Sequence, residues 1–211
     1  MEEIIIKSPS NEEELKEASR ADINIWSFIY GDADDAIDTR TIFTHFPQGY
    51  LVAYINGKGA GVLKSFRINL SLDDKIESWR SITDGGRADK HTEDGDTIYI
   101  SSLGVVSDFR GRGIAQSLID HLKEVAIELG VKQIALGCRI PDYHKYSHTP
   151  INDYIRMKRE DGKLLDRELR FYAKSGMTFI KPLPEYMSGE DSDPDSLNYG
   201  VLSVWRNPLV D

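Results

Sequence analysis

The stretch Arg110-Gly111-Arg112-Gly113-Ile114-Ala115 constrains the chain more than any other, because of what lies on either side of it. Before it, Thr97 to Val106 is an apolar run that reads as a strand. After it, Ile114, Leu118, Leu122, Val125 and Leu129 form one stripe of an amphipathic helix, and Gly130 supplies its stop. A strand that turns through two glycines into a helix makes an anion site. The first N–H groups of such a helix have no intrahelical acceptor, and the positive end of the helix dipole lies among them. Gly111 and Gly113 let a phosphate approach the backbone with no side chain between.

The type of phosphate ligand follows from the spacing. A nucleotide P-loop requires GxxxxGK[ST], and no Lys-Ser or Lys-Thr pair follows these glycines. The dinucleotide fingerprint GxGxxG fails as well, since no third glycine comes at the required spacing. The pattern [Q/R]-x-x-G-x-[G/A] is met by Arg110, Gly113 and Ala115. This resembles the pyrophosphate-binding signature of the GNAT superfamily of N-acetyltransferases, whose cosubstrate is acetyl-coenzyme A. Downstream, Phe171-Tyr172-Ala173-Lys174-Ser175-Gly176-Met177 is similar to the superfamily's later "Y-x-K-x-G-F" step, with Met177 in place of the usual aromatic. Gly176 ends that helix, and Met177 to Leu183 reads as the next strand.

A closer resemblance lies in Gly137-Cys138-Arg139-Ile140-Pro141-Asp142-Tyr143-His144-Lys145-Tyr146. It is similar to the "G-R-x-P-G-Y-H-K" segment of acetyltransferase domains fused to carbon–nitrogen hydrolase domains in some bacterial proteins. The Ser78-Trp79 region, Asp94-Gly95-Asp96-Thr97 and the late acidic loop resemble the same group, so the likeness covers Trp79 to Trp205. The chain has no room for a hydrolase half, and the acetyltransferase part is expected to stand alone.

The resemblance implies an α/β (α+β) fold, a mixed and mostly antiparallel sheet of about six or seven strands flanked by about four helices. Local signals agree. Glu3 to Lys7 reads as a first strand, and Ser10 with Glu13 as a capping box opening a helix whose stripe includes Leu15, Ala18, Ile25 and Ile29. Asp32 to Asp38 is an acidic loop or helix start, with Asp34, Asp35 and Asp38 read as a solvated edge or a cation-attracting rim. Leu51 to Ile55, Asn56-Gly57 and Gly61 to Leu70 form a hairpin. Val131 to Gly137 completes a βαβ unit, Asp166 caps the helix carrying Tyr172, and Asn198 to Trp205 is a closing strand. Glu190 to Asp195 reads as a plain exposed turn.

Two segments stand apart as insertions into a single domain spanning residues 1–211, one near 72–96 and one near 139–165. Leu72 to Asp96 is long and polar, and Trp79 between Glu77 and Arg80 suggests an ordered piece folding over a cleft. Both insertions are expected to line the acceptor side. A net charge of −9 argues against nucleic acid as a partner and suits an acceptor arriving as a cation. No apolar run is long enough for a membrane span and no leader precedes the first strand, so a cytoplasmic location without membrane partners is expected. The single cysteine, Cys138, reads as a buried small hydrophobe, dispensable for a direct transfer. No metal is called for, and a homodimer is left open.

The chemistry needs a held thioester, a neutral amine, a stabilised oxyanion and a proton for the departing thiolate. The resemblance puts cofactor contacts on Arg110, Gly111, Arg112, Gly113, Ile114 and Ala115. It also implies a strand that splays at a bulge, for which Gly104 is suited, so the backbone of Leu103, Gly104 and Val105 is expected at the thioester. Tyr172 stands where relatives place a general acid. For the base, mid-strand Ile100, Ser101 and Ser102 offer no carboxylate, leaving Asp96, His144 or deprotonation through water. The resemblance implies a small-molecule or peptide amine as acceptor. The missing strand carboxylate keeps a second reading alive, a non-catalytic acyl-CoA-binding or regulatory module.

Overall fold

The computed structural model describes residues 3–30 and 36–210, with backbone alone at 28–30 and 36–39. Ile29 and the acidic side chains of Asp34, Asp35 and Asp38 therefore lie outside the described residues. Seven strands form one sheet: β1 (Ile4–Lys7), β2 (Leu51–Ile55), β3 (Lys58–Ile68), β4 (Thr97–Val105), β5 (Gln133–Arg139), β6 (Thr178–Leu183) and β7 (Gly200–Arg206). Their order is β1-β2-β3-β4-β5-β7-β6, with β4 and β5 the parallel pair and every other pairing antiparallel. The described helices are α1 (Glu12–Tyr30), α2 (Ala36–His45), α3 (Trp79–Thr83), α4 (Ile114–Glu128), α5 (Ile151–Tyr154) and α6 (Arg167–Lys174).

Local chemistry sets the boundaries. Asn56 and Gly57 both take positive φ, the backbone a tight hairpin turn needs, and β2 pairs with β3 across them. The α1 cap falls one residue later than the sequence suggests. Asn11 Oδ1 accepts from the Glu14 N–H at 3.0 Å, and the Glu14 carboxylate reaches back to the Ser10 N–H at 2.9 Å. The α6 cap is Asp166, whose Oδ1 accepts from the N–H groups of Glu168 and Leu169.

Each face of the sheet has its own core. On one, α4 lays Ile114, Leu118, Ile119, Leu122 and Val125 against Leu51, Leu63, Ile98 and Ile134. Leu129, the last position of the predicted stripe, follows the helix end and is 38% exposed. On the other face, α1 packs Leu15, Ala18, Ala21 and Ile25 against Val52, Val62 and Phe66. The αL turn at Gly130 ends the α4 segment, as the sequence indicates.

The sheet is incomplete where it matters. The β4–β5 ladder covers only Thr97–Tyr99 against Gln133–Ala135, after which the two strands run on without pairing. A bulge accompanies the split. Ser65 faces Ile100 and Lys64 faces Ser102, so Ser101 is the extra residue on β4. The bulge therefore lies at Ser101, and Gly104, proposed for it on sequence grounds, pairs regularly with Val62. Gly104 answers a different need. A Cβ there would stand 2.2 Å from Ile25 Cγ2, so the missing side chain lets α1 close on β4.

Candidate active site

Past Tyr99 the wedge between β4 and β5 opens into a cavity of about 670 Å³. Its strand walls are Ile100, Ser101, Ser102 and Leu103 on one side and Leu136, Gly137 and Arg139 on the other. Backbone direction on β4 follows from one bond. The Val106 N–H donates to the Ala60 carbonyl at 3.0 Å, which directs alternate residues, Gly104 and Ser102, at β3. Leu103 and Val105 must then aim their N–H groups at the open edge. The Val105 carbonyl on that edge accepts from Arg110 Nε at 3.1 Å. Of the three residues named for thioester contact, Leu103 and Val105 are suited by direction, while Gly104 spends its backbone on β3.

The loop leading to α4 fits an anion. Gly113 is the N-cap in the αL conformation, φ 82°, and makes no side-chain cap bond, so the first-turn N–H groups of α4, Ile114 and Ala115 among them, receive no side-chain acceptor from it. Gly111 is also at positive φ, and nothing lies within 4 Å of where a Cβ would stand at either glycine. Arg112 stacks over the Phe109 ring at 5.3 Å. The donor set, uncapped N–H groups with Arg110 and Arg112 beside them, is what a pyrophosphate requires.

The helix α6 brings two titratable side chains to the cavity. Tyr172 and Glu168 are four residues apart, hence on one helical face, and both line the space. Tyr172 is 7% exposed, and its hydroxyl has no hydrogen-bond partner among the described residues. Burial, followed by the neighbouring Cys138 and Glu168, raises its phenol well above the ordinary value, so it holds its proton. Burial and then the Asp166 carboxylate raise the Glu168 carboxyl, and Arg139 and Arg167 pull the other way without cancelling them. Sequence reasoning missed Glu168. The helical spacing to Tyr172 was the signal that could have found it.

The other two candidate bases fall elsewhere. Asp96 lies at the closed end of β4, five residues and roughly 17 Å of strand from Ser101. Its Oδ1 accepts from the Leu70 N–H at 3.2 Å and from Thr97 Oγ1 at 2.8 Å, so it ties the sheet's paired end together. His144 is not among the lining residues. Its Nδ1 is 3.0 Å from the Pro141 carbonyl and 3.1 Å from that of Asp195, which does line the cavity. Cys138 is 1% exposed, and burial, with Glu168 and Asp166 nearby, raises its thiol well above the usual value. That disfavours a nucleophilic thiolate.

The first insertion and the late acidic loop shape the cavity, whereas of 139–165 only Arg139, the last residue of β5, lines it, and the rest of that segment packs into the α4-face core. The indole Nε1 of Trp79 donates to the Ser101 carbonyl at 2.9 Å, pinning α3 to the bulge. Glu190 to Asp195 is not a plain exposed turn. Asp191 and Asp193 are 5% and 6% exposed. Asp191 takes a bidentate contact from Arg80 at 2.8 and 3.1 Å. Asp193 takes another from Arg139 at 2.7 and 2.8 Å. Burial raises the Asp193 carboxyl, but the bonds from Arg139 and Ser196 outweigh it and leave it lowered. On the α1 face, Lys64 and Trp26 complete the lining, with Tyr186 and Met187 opposite. Among the described residues no group of His, Cys, Asp and Glu is arranged to hold a metal, and no helix is long and apolar enough to cross a membrane.

Comparison with known proteins agrees with the wedge and the loop. The model of the acetyltransferase (GNAT) family matches residues 13–146. The chain belongs to the GNAT family. It is accordingly an acyltransferase that uses acetyl-CoA. The uncharacterized N-acetyltransferase YkwB of Bacillus subtilis is 31% identical over 163 residues, covering 77% of this chain and 70% of YkwB. The probable hydrolase YhcX of the same organism is 31% identical over 164 residues, 77% of this chain but 31% of YhcX. That partial match accords with the fused hydrolase group indicated by the Gly137–Tyr146 segment. Among solved structures, a GNAT-like decarboxylase, GphF, in complex with isobutyryl-CoA shares the fold with a TM-score of 0.76 at 20% identity, over 96% of this chain and 99% of that one.

Proposed function

We propose that the protein transfers the acetyl group of acetyl-CoA directly to a primary amine, without an acyl-enzyme. The observation that carries this reading is the pairing of Glu168 and Tyr172 on one face of α6, both in the wall of the wedge between β4 and β5. Acetyl-CoA supplies the activated acyl group as a thioester. The chain's residues hold it, orient it and move two protons.

Holding falls to Arg110, Gly111, Arg112, Gly113, Ile114 and Ala115 through the helix-start N–H groups and two guanidinium groups. Leu103 and Val105 present N–H groups at the open edge of β4, where an acyl oxygen gaining negative charge would be stabilised. Glu168 is the base. Its raised affinity for protons brings it nearer the operating pH, which makes a carboxylate more effective at taking a proton from an ammonium. Tyr172 is the acid, since a phenol held protonated by burial can donate to a thiolate as its charge develops. The buried Cys138 takes no part. His144 stays at the rim through Asp195, and Asp96 stays with the sheet.

The cofactor loop and α4 lie on one face of the sheet, whereas Trp26, Lys64 and Trp79 line the cavity toward the other. The amine therefore enters from the α1–α3 side, beside the first insertion. A single cysteine, buried and unpaired, suits a reducing compartment, and we place the protein in the cytosol. The test is amine-dependent release of free CoA thiol across a panel of amines, with acetyl-CoA binding measured alongside by calorimetry.

A further inference from the structure

One charged group of the cavity has no role in that chemistry. Lys64, on β3 directly opposite Ser102, lines the cavity on the acceptor face. Its side chain is only 10% exposed, and the ammonium makes one contact, to Asp22 Oδ2 at 2.6 Å. An ammonium carries three donors. No other acceptor meets this one among the described residues. The partner is no better satisfied. Asp22 is fully buried on α1, and its Oδ1 has no hydrogen-bond partner among the described residues.

As a structural device this pair is a poor one. Removing two charges from water costs several kcal/mol per ion, and the attraction offsets it only where the remaining donors and acceptors are also satisfied. A pair of apolar side chains would hold α1 on β3 at least as well. The other two cationic side chains in the lining behave differently, because Arg80 and Arg139 are each clamped in a two-point contact by Asp191 and Asp193. Among the described residues, Lys64 is the one cation of the lining that is buried with donors to spare. Asp22 holds the ammonium from the α1 side. The same cavity is lined by the indoles of Trp26 and Trp79. The carboxylates of Asp191 and Asp193 are taken up by Arg80 and Arg139, so the spare donors of Lys64 suit an oxygen anion brought by a ligand.

We propose that Lys64 is a specificity residue that binds a carboxylate of the substrate, so that the acceptor is an amine that also carries a carboxylate, as an amino acid does. This rests on the acetyltransfer reading above and narrows it. A carboxylate held at Lys64 fixes the amine end of the same molecule in the wedge, where Glu168 can take its proton. A carboxylate on the acyl chain of a dicarboxylic acyl-CoA has the same chemistry, and the experiment separates the two sources.

The test compares each L-amino acid with its carboxamide as acceptor, using wild-type protein, Lys64→Met, Lys64→Arg and the neutral double variant Lys64→Met/Asp22→Asn. The double variant removes the stranded Asp22 charge, so that a folded protein is in hand even if the single variant misfolds. Wild type is expected to favour at least one acid over its amide by about tenfold to a hundredfold in kcat/KM, the range of a charge-assisted hydrogen bond. Both Met variants should lose that preference while binding acetyl-CoA as wild type does, and Lys64→Arg should keep part of it. Equal rates for every acid and amide in wild type, or a preference that survives in the double variant, overturn the proposal and leave the acetyltransfer reading standing. Transfer to no member of any pair overturns both. Malonyl-CoA supplies the last arm. If Lys64→Met weakens malonyl-CoA binding and not acetyl-CoA binding, and no acid is preferred over its amide, the carboxylate belongs to the acyl group and the acceptor assignment fails.

Discussion

Gly113→Asp isolates the anion site from everything else in the molecule. The position has φ 82° and ψ 2°, and no atom lies within 4 Å of where the new Cβ would stand. The fold can therefore accept the substitution at the cost of left-handed strain, about 1–2 kcal/mol for a residue with a side chain. A carboxylate at a helix N-terminus returns about 0.3–1 kcal/mol of that. Net destabilisation should be near 1 kcal/mol. Binding suffers more. The new charge would face a pyrophosphate held at this helix start, and two like charges about 4 Å apart repel by about 1 kcal/mol in bulk water and about 4 kcal/mol at the effective dielectric of a protein surface. The corresponding loss is about fivefold to a thousandfold in affinity. Calorimetry should find it for acetyl-CoA and CoA alike, because they share the pyrophosphate. Acetyl-pantetheine, which lacks the pyrophosphate, should bind the variant and wild type equally. Unchanged affinity for CoA in a folded variant would show that the pyrophosphate does not meet this helix start.

The remaining predictions concern the proton carriers on α6. Tyr172→Phe removes only the hydroxyl and should lower kcat by about 10²- to 10⁴-fold with acetyl-CoA affinity nearly unchanged; a Phe variant with normal turnover, measured where chemistry limits the rate, ends the acid assignment. In wild type, kcat/KM should rise with pH as Glu168 loses its proton, along a limb lying above the ordinary glutamate range, and Glu168→Gln should abolish that limb together with most of the activity. The same shift has a stability consequence of definite sign. A carboxyl whose folded pKa is raised contributes stability below its unfolded pKa and loses it as pH rises through the folded value, so Glu168→Gln should raise Tm at neutral pH and leave it little changed in acid. A lower Tm for the Gln variant at neutral pH would mean that the ionised carboxylate has a partner in the folded protein.

What the sequence made legible was local. The strand, glycine turn and helix around Arg110–Ala115, the Asn56-Gly57 hairpin and the Asp166 cap each depend on residues a few positions apart, and each stands as a short-range rule requires. The misreadings came from long-range partners. Glu190–Asp195 looks like a solvent loop until Arg80 and Arg139 arrive from more than fifty residues away and bury two of its carboxylates. Asp96 reads as available in sequence, but Thr97 beside it and the Leu70 N–H from across the sheet both engage its Oδ1. The bulge was assigned to Gly104 on conformational grounds, but register is a property of two strands, and the extra residue fell at Ser101. Glu168 is marked in the sequence only by its four-residue spacing to Tyr172, and its place in the cavity wall depends on how α6 packs. The wedge itself is written nowhere in the local pattern, for it arises where a parallel pairing stops after three residues.

The most direct test of acetyl transfer is a continuous assay of free CoA thiol with acetyl-CoA and the amine panel, run on wild type, Tyr172→Phe and Glu168→Gln. The expected result is thiol release that requires both protein and amine, with an acetylated amine formed in equal amount and both variants slowed by about two orders of magnitude or more. Tight binding of acetyl-CoA with no amine-dependent thiol release on any acceptor, or release that neither variant slows, would contradict transfer by this pair in this cavity.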